Sequence, residues 1–243
     1  MALLLFAVLT IPVFPFNAYA QGPPPGAQTS QLGSLADRWT KWIVSLDTNT
    51  EPNPFETVYQ GDCSQLIQGR TMFLVGQRGG TTDLEDHGNC SISSGTTIFF
   101  PLVNYIVADC TSKQQQSPQL PSGLCASDIR IPAEGQPFAD LRELANSNID
   151  RVDNLEATLD DEPLEFARVQ SPPGGFVVRV SPNNALFGDL TFLFQRPISL
   201  HAVVDGHWGL VTSLSPGEHT LTFGGCFDTS DCQTNTYELV VRR

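Results

Sequence analysis

The feature that most restricts this chain is the run of short apolar segments, broken by glycine and proline, in its C-terminal third. Segments 176–180, 190–195, 199–204, 207–214, 219–223 and 237–241 are rich in Val, Leu, Phe and Thr, and none is long enough for an ordinary helix. Turn chemistry separates them. Asp205-Gly206 divides two alternating runs and predicts a two-residue hairpin. Pro216-Gly217 suits the central positions of a type II turn. Upstream, Thr71–Val75 and Thr97–Val107 are β-branched and aromatic, with a polar, Gly-rich stretch between them, and Pro101 should break or bulge the second run. Many short strands punctuated in this way predict a mainly β fold. The expectation is an antiparallel β-sandwich, jelly-roll or immunoglobulin-like, with two peripheral helices.

The first helix is expected to start at Ser34 as N-cap, with Asp37 three residues on. Leu35, Trp39, Trp42, Ile43 and Leu46 then form one stripe at helical period, which ends at the D-T-N-T-E-P-N-P run, 47–54. Its two tryptophans could form a sugar-stacking platform, but on a stripe with Leu and Ile they are expected in the core. The second helix is expected from Phe138 to Arg151, with Phe138, Leu141, Leu144 and Ala145 on its apolar face. A strand at Leu155–Leu159 and a turn at Asp160–Pro163 should follow.

Residues 1–16 are uncharged and nearly all apolar, and Ala18-Tyr19-Ala20 follows as an A-x-A pattern. This predicts a signal peptide over 1–20, a flexible Pro/Gly/Gln linker over 21–33 and a single domain over 34–243. The mature chain would then have no membrane span and would be secreted or held at the cell surface. Six cysteines remain: Cys63, Cys90, Cys110, Cys125, Cys226 and Cys232. An even number in an exported chain reads as disulfides. Sequence leaves the connectivity open, and pairing neighbours is the simplest choice. No C-x-x-C spacing occurs, which argues against zinc.

A net charge of −13 argues against nucleic acid or an anionic membrane as partner. Residues 140–165 concentrate nine acids against two arginines. Without a D-x-D-x-D-G loop, this reads as a solvated acidic face before a calcium site. Asp228 and Asp231, inside the Cys226–Cys232 loop, offer a calcium contact, although an exposed polar hairpin tip is the plainer reading.

Four histidines, His87, His201, His207 and His219, decide most of the catalytic question. If Asp205-Gly206 turns a hairpin, His201 lies on the face of Val203 and Trp208, while His207 lies on the opposite one. His219, carried through the Pro216-Gly217 turn, would stand ~13 Å from His201. That register scatters the imidazoles. There is no G-x-S-x-G, H-E-x-x-H, P-loop or G-x-G-x-x-G. No catalytic residue is assigned, and Asp205, His207 and Trp208 stand as candidate ligand contacts.

Three stretches resemble an uncharacterised family of exported bacterial and archaeal proteins. They are the W-x-x-W helix (Trp39, Trp42), Arg70–Gly76 leading into Thr97–Asn104, and Asp205–Trp208 with Leu214–Gly225. The last is also similar to the closing strands of bacterial immunoglobulin-like modules, whose G-x-[HY]-x-L pattern Gly217, His219 and Leu221 would fill. The resemblance implies a sandwich and carries no activity. The expected role is therefore a secreted or cell-surface non-catalytic binding or structural protein. Its ligand would be extracellular, a glycan being one candidate, with no cofactor unless calcium. The rivals are a secreted hydrolase acting on glycans through paired carboxylates, and a divalent-cation-binding surface protein.

Overall fold

The structure, a computed structural model, describes residues 25–76, 84–109, 137–172, 174–191, 194–228 and 231–243. In chain order the elements are α1 (Pro25–Ser45), β1 (Tyr59–Gly61), a 3-10 turn (Ser64–Leu66), β2 (Ile67–Gln68), β3 (Thr71–Phe73), β4 (Leu84–Ser93) and β5 (Thr97–Asp109). Then come α2 (Pro137–Ile149), β6 (Val152–Leu159), β7 (Glu162–Pro163), β8 (Phe166–Gln170), β9 (Phe176–Val180), β10 (Asn183–Asn184), β11 (Gly188–Asp189), β12 (Ile198–Val211), β13 (Gly217–Phe227) and β14 (Asp231–Arg242). One sheet runs β1-β4-β14-β13-β6-β7 and the other β2-β3-β5-β12-β8, with β9 also paired to β12. Among the described residues the fold is a β-sandwich with two helices. Its sheets are mixed, because β1 with β4, β4 with β14 and β3 with β5 run parallel.

The sheets meet where Phe100 of β5 packs on Phe223 of β13, ring centroids 4.7 Å apart. The Tyr237 hydroxyl of β14 crosses between them, donating to the Val75 carbonyl at 3.0 Å. Side chains alternate across a strand, so Phe100 and its β12 partner Gly209 share one face while Trp208 takes the other. That other face is covered by α1: Trp39 sits edge-on to Trp208 at 5.5 Å and donates its Nε1–H to the Leu74 carbonyl at 2.7 Å. The first helix is thus a third layer, and the whole stripe from Leu35 to Leu46 is buried.

That helix begins at Pro25, not Ser34. Leu32 is 1% exposed and extends the stripe by one turn, so residues 25–33 are helical, contrary to the flexible linker expected over 21–33. Residues 1–24, with the expected signal peptide and its cleavage point, lie outside the described residues.

The expected Asp205-Gly206 hairpin does not form. The runs 199–204 and 207–214 fuse into β12, which pairs with β5 from His201 opposite Asp109 to Val211 opposite Ile98. Glycine is needed here for close approach, since a Cβ on Gly206 would lie 2.7 Å from Asn104 Cβ and 2.8 Å from the Val103 carbonyl oxygen. The bulge expected near Pro101 is present, with Leu102 left over between the pairs Val103–His207 and Pro101–Trp208. Pro216-Gly217 joins no paired strands; it carries the chain from one sheet to the other. The run 190–195 forms no strand among its described residues. Conversely, β4 occupies the polar stretch before β5. A shift of register against β14 there, together with Gly88 at φ 76, breaks the alternation, so the buried side chains over 86–93 are His87, Cys90 and Ile92.

Disulfides join Cys63 to Cys90 and Cys226 to Cys232, as neighbour pairing expects. Cys110 and Cys125 lie outside the described residues.

Candidate functional site

Continuity of β12 puts His201, Val203, Asp205 and His207 on one face, beneath α2. Val203 packs there with Val107, Leu141 and Ala145. Asp205, 1% exposed, is held by a guanidinium fork. Arg168 Nε donates to Oδ1 at 3.0 Å and its Nη2 to Oδ2 at 2.6 Å, while Gln170 Nε2 adds a bond to Oδ2 at 3.2 Å. Arg168 also reaches Asp150 Oδ1 at 2.5 Å and the Asn146 carbonyl at 3.3 Å. Arg142 donates to Gln170 Oε1 at 3.1 Å, and Gln170 donates to Asn146 Oδ1. The bonds to Asp205 and Asp150 outweigh partial burial and hold Arg168 above its ordinary pKa. Every strong contact of Asp205 is spent on fastening α2 to β8 and β12.

The other two candidate contacts do not join it. His207 is half-buried, edge-on to Phe166 at 6.2 Å. Burial and the Arg168 charge lower its pKa against the opposing pull of Asp205. Trp208 points to the opposite face, 0% exposed, and stacks on Phe99 at 5.1 Å. It presents no surface to an outside ligand. His201 and His207 share a face but stand six residues apart on one strand, ~20 Å at the usual rise. The imidazoles are scattered, though through one long strand and not through a hairpin. Among the described residues, no group of three or more His, Cys, Asp or Glu could hold a metal ion. Asp228 pairs with Arg151 at 2.8 Å, and Asp231 opens β14 opposite Phe227 at the hairpin tip.

One arrangement that sequence did not pinpoint looks catalytic at first. His219 Nδ1 lies 2.7 Å from Asp160 Oδ2, and its Nε2 lies 3.4 Å from Ser215 Oγ. Asp160 Oδ1 in turn accepts the Thr220 N–H at 2.9 Å. However, Nε2 also lies 2.9 Å from the Ser215 carbonyl, which can only accept. One nitrogen faces a carbonyl and the other a carboxylate, so the ring is set up to donate from both. Partial burial lowers its pKa, but the bonds to Asp160 and Ser215 and the Asp160 charge outweigh it, and the net shift is upward. A ring nitrogen that donates to a carbonyl has no lone pair free to take the proton of a serine hydroxyl. The triplet ties the crossover between sheets to the turn after β6.

A groove of about 390 Å³ opens at the C-terminal end of α1. Its walls come from Trp42, Ser45 and Leu46 of the helix end, Thr50–Pro52 and Pro54 of the following turn, and Ser64, Gln65 and Gln68 near β2. Local chemistry builds each wall. Ser45 Oγ donates to the Trp42 carbonyl at 2.8 Å as α1 ends. The Asp47 carbonyl accepts the Thr50 and Glu51 N–H groups at 2.9 and 2.8 Å, turning the chain back. The Cys63–Cys90 bond pins the third wall to β4. Trp42 is 9% exposed, and its buried Nε1–H has no hydrogen-bond partner among the described residues. The core placement expected of both tryptophans holds, with Trp42 at the edge of the core beside the groove.

No family model and no curated protein matches the sequence. Among solved structures, the chain is similar to PbICP-C in its complex with falcipain-2, at 10% identity over 72% of this chain and 100% of that chain. The TM-score is 0.27, and a likeness this loose carries no argument about this chain.

Proposed function

We propose that the protein is an exported, disulfide-stapled, non-catalytic binding protein whose ligand lies in the groove beside Trp42. The observation that carries this reading is the lining of the groove. Among the described residues it combines the Trp42 ring with hydroxyl and amide groups, and Glu51 is the one ionisable side chain. A single carboxylate with no imidazole or thiol among the described lining residues can help hold a ligand but forms no acid–base pair. The paired titratable groups elsewhere, Arg168 with Asp205 and His219 with Asp160, are engaged in joining elements of the fold. The leader pattern over 1–20 and the two disulfides support export, since disulfides persist in oxidising compartments. None of the described helices is long and apolar enough to cross a membrane.

The test has two arms. N-terminal sequencing of exported material should start at Gln21. Incubation with chromogenic glycosides and esters should give no turnover above buffer. Turnover abolished by Glu51→Gln would overturn the non-catalytic reading.

A further inference from the structure

Resting on the binding reading just given, we propose that the groove takes an organic ammonium group, whose N–H donors are matched by the acceptors of the lining and whose charge is matched by Glu51. The lining residues spend most of their own donors inside the fold. Ser45 Oγ donates to the Trp42 carbonyl at 2.8 Å and Thr50 Oγ1 to the Asp47 carbonyl at 3.2 Å. Ser64 gives its N–H to Asp62 Oδ1 at 2.9 Å and its hydroxyl to the same carboxyl group. Gln65 commits one amide N–H to the Tyr59 hydroxyl at 3.0 Å. Pro52 and Pro54 have no N–H to offer. A hydroxyl that has given its proton away still carries acceptor lone pairs. Among the described lining residues, Ser45, Thr50, Ser64 and Gln65 are therefore left chiefly to accept, and the Glu51 carboxylate can only accept. Gln68, whose side chain has no hydrogen bond among the described residues, can do both. Ser45, Thr50, Glu51 and Ser64 are all exposed to solvent. A ligand rich in donors fits this surplus of acceptors.

The local charge has the matching sign. Glu51 stands on the wall, and Asp47 and Asp62 are hydrogen-bonded to wall residues. The two bonds from Ser64 hold Asp62 below its ordinary pKa, so it stays ionised. The first helix ends here with no basic residue in its last turn, and the negative end of its macrodipole adds to these carboxylates. Two described cations lie close in the chain, and each is seated elsewhere. Arg38 reaches the Gln68 carbonyl at 3.4 Å, but its guanidinium lies over the Phe73 ring, 5.5 Å from the centroid. Lys41, one turn before the helix end, lies over Phe176 at 5.3 Å. Trp42, Leu46, Pro52 and Pro54 supply the apolar part of the wall, which suits an ammonium carried on a hydrocarbon neck or ring. A bare calcium ion takes six to eight oxygens, usually with several carboxylates, and the described lining holds one carboxylate. The volume is at the low end of the ~300–1,000 Å³ typical of small-molecule clefts, which fits a short alkylamine or one amino sugar.

Amino sugars, polyamines and lysine side chains share this chemistry, and matched probes tell them apart. Calorimetry and backbone-amide NMR on the full mature protein would use glucosamine with N-acetylglucosamine, putrescine with its diacetyl derivative, and Nα-acetyl-lysine amide with its Nε-acetylated form. Acetylation removes the charge and keeps the skeleton. At least one amine should bind and move the amide signals of Thr50, Glu51, Gln65 and Gln68, and the pair that responds identifies the source. Its acetylated partner should bind about tenfold more weakly or worse. Glu51→Gln should weaken amine binding about two- to fivefold, the worth of one exposed charge pair, and added salt should weaken it further. Should Glu51→Gln fail to fold, Gln68→Ala is expected to weaken the same amine and serves as the second variant. Amine binding that leaves the four signals unmoved and survives both changes overturns the assignment to this groove. If only acetylated probes, or neutral or anionic fragments from a screening library, move the signals, the ammonium inference falls and the binding reading stands. If nothing moves them, both fall.

Discussion

The α2 face of the second sheet and the groove at the end of α1 both place polar groups against a hydrophobic core, with opposite outcomes. Beneath α2, Asp205, Arg168, Asp150, Asn146, Gln170 and Arg142 form one continuous network, in which all three guanidinium nitrogens of Arg168 find acceptors within the fold. At the groove, the Trp42 indole N–H and the side-chain amide of Gln68 have no partner among the described residues. The first region ties elements of the fold together. The second leaves polar side chains along the wall of a groove. Titratable residues catch the eye first, yet here the neutral groups mark the functional candidate.

The largest test removes the fork. Arg168→Ala leaves Asp205 buried without its counter-charge, and equilibrium chemical denaturation should register a loss of about 3–5 kcal/mol. A loss below ~1 kcal/mol would mean that the network is not what fastens α2, and the contrast with the groove would fail.

His87 extends the comparison to a buried polar group that stays neutral. It is 1% exposed, stacks on Tyr237 at 4.3 Å and lies 3.4 Å from Asn235 Oδ1. Burial lowers its pKa to about 4, against the weaker opposing pulls of Asn235 and Asp86. A depressed histidine pKa means that the unfolded chain binds the proton first. Its contribution is therefore complete above the unfolded pKa near 6.5 and is lost as pH falls toward 4. The loss is about 3 kcal/mol for this shift. Denaturation between pH 7 and pH 4 should show it in the native chain, and His87→Phe should remove that component. Identical pH profiles for the two proteins would contradict the assignment.

The two tryptophans of α1 sharpen the contrast most directly. Trp39→Phe strips the Leu74 carbonyl of its donor inside the core and should cost about 1–3 kcal/mol in thermal or chemical unfolding. Trp42→Phe removes a donor that has no partner and should cost less, within about 1 kcal/mol. The reverse order would show that Trp42 is the better-anchored side chain.

The smallest effect belongs to His219, whose pKa is raised. Its contribution is full below the unfolded pKa of 6.5 and disappears as pH rises through the higher folded value. The melting temperature should fall slightly between pH 6 and 9, and Asp160→Asn should flatten that slope. An unchanged slope would remove the imidazolium reading and reopen the Ser215–His219–Asp160 triplet as a candidate active site.

Much of the frame was readable one segment at a time. β9 falls at the expected bounds, β13 and β14 contain the expected runs, and α2 lies within two residues of its expected limits; the buried positions of β9 and of β14 from Asn235 on recur at a period of two, and those of α2 at about four. β4 was hidden because a register shift at His87-Gly88 breaks that period. The hairpin at Asp205-Gly206 was misjudged because glycine serves two purposes that sequence does not separate: turning the chain, and letting another strand approach.

Taken alone, the order of residues decided the class of this molecule: layered β-sheet with peripheral helices, an even set of cysteines suited to disulfides, and a net negative charge. Those traits depend on local periodicity, loop length and composition. Tertiary structure decided which polar groups meet. Asp205 finds Arg168 from 37 positions away, while no other described segment brings a partner to the indole nitrogen of Trp42. Such pairings arise where strands from distant parts of the chain are brought side by side, and hydrophobic burial, which is indifferent to direction, is what brings them there.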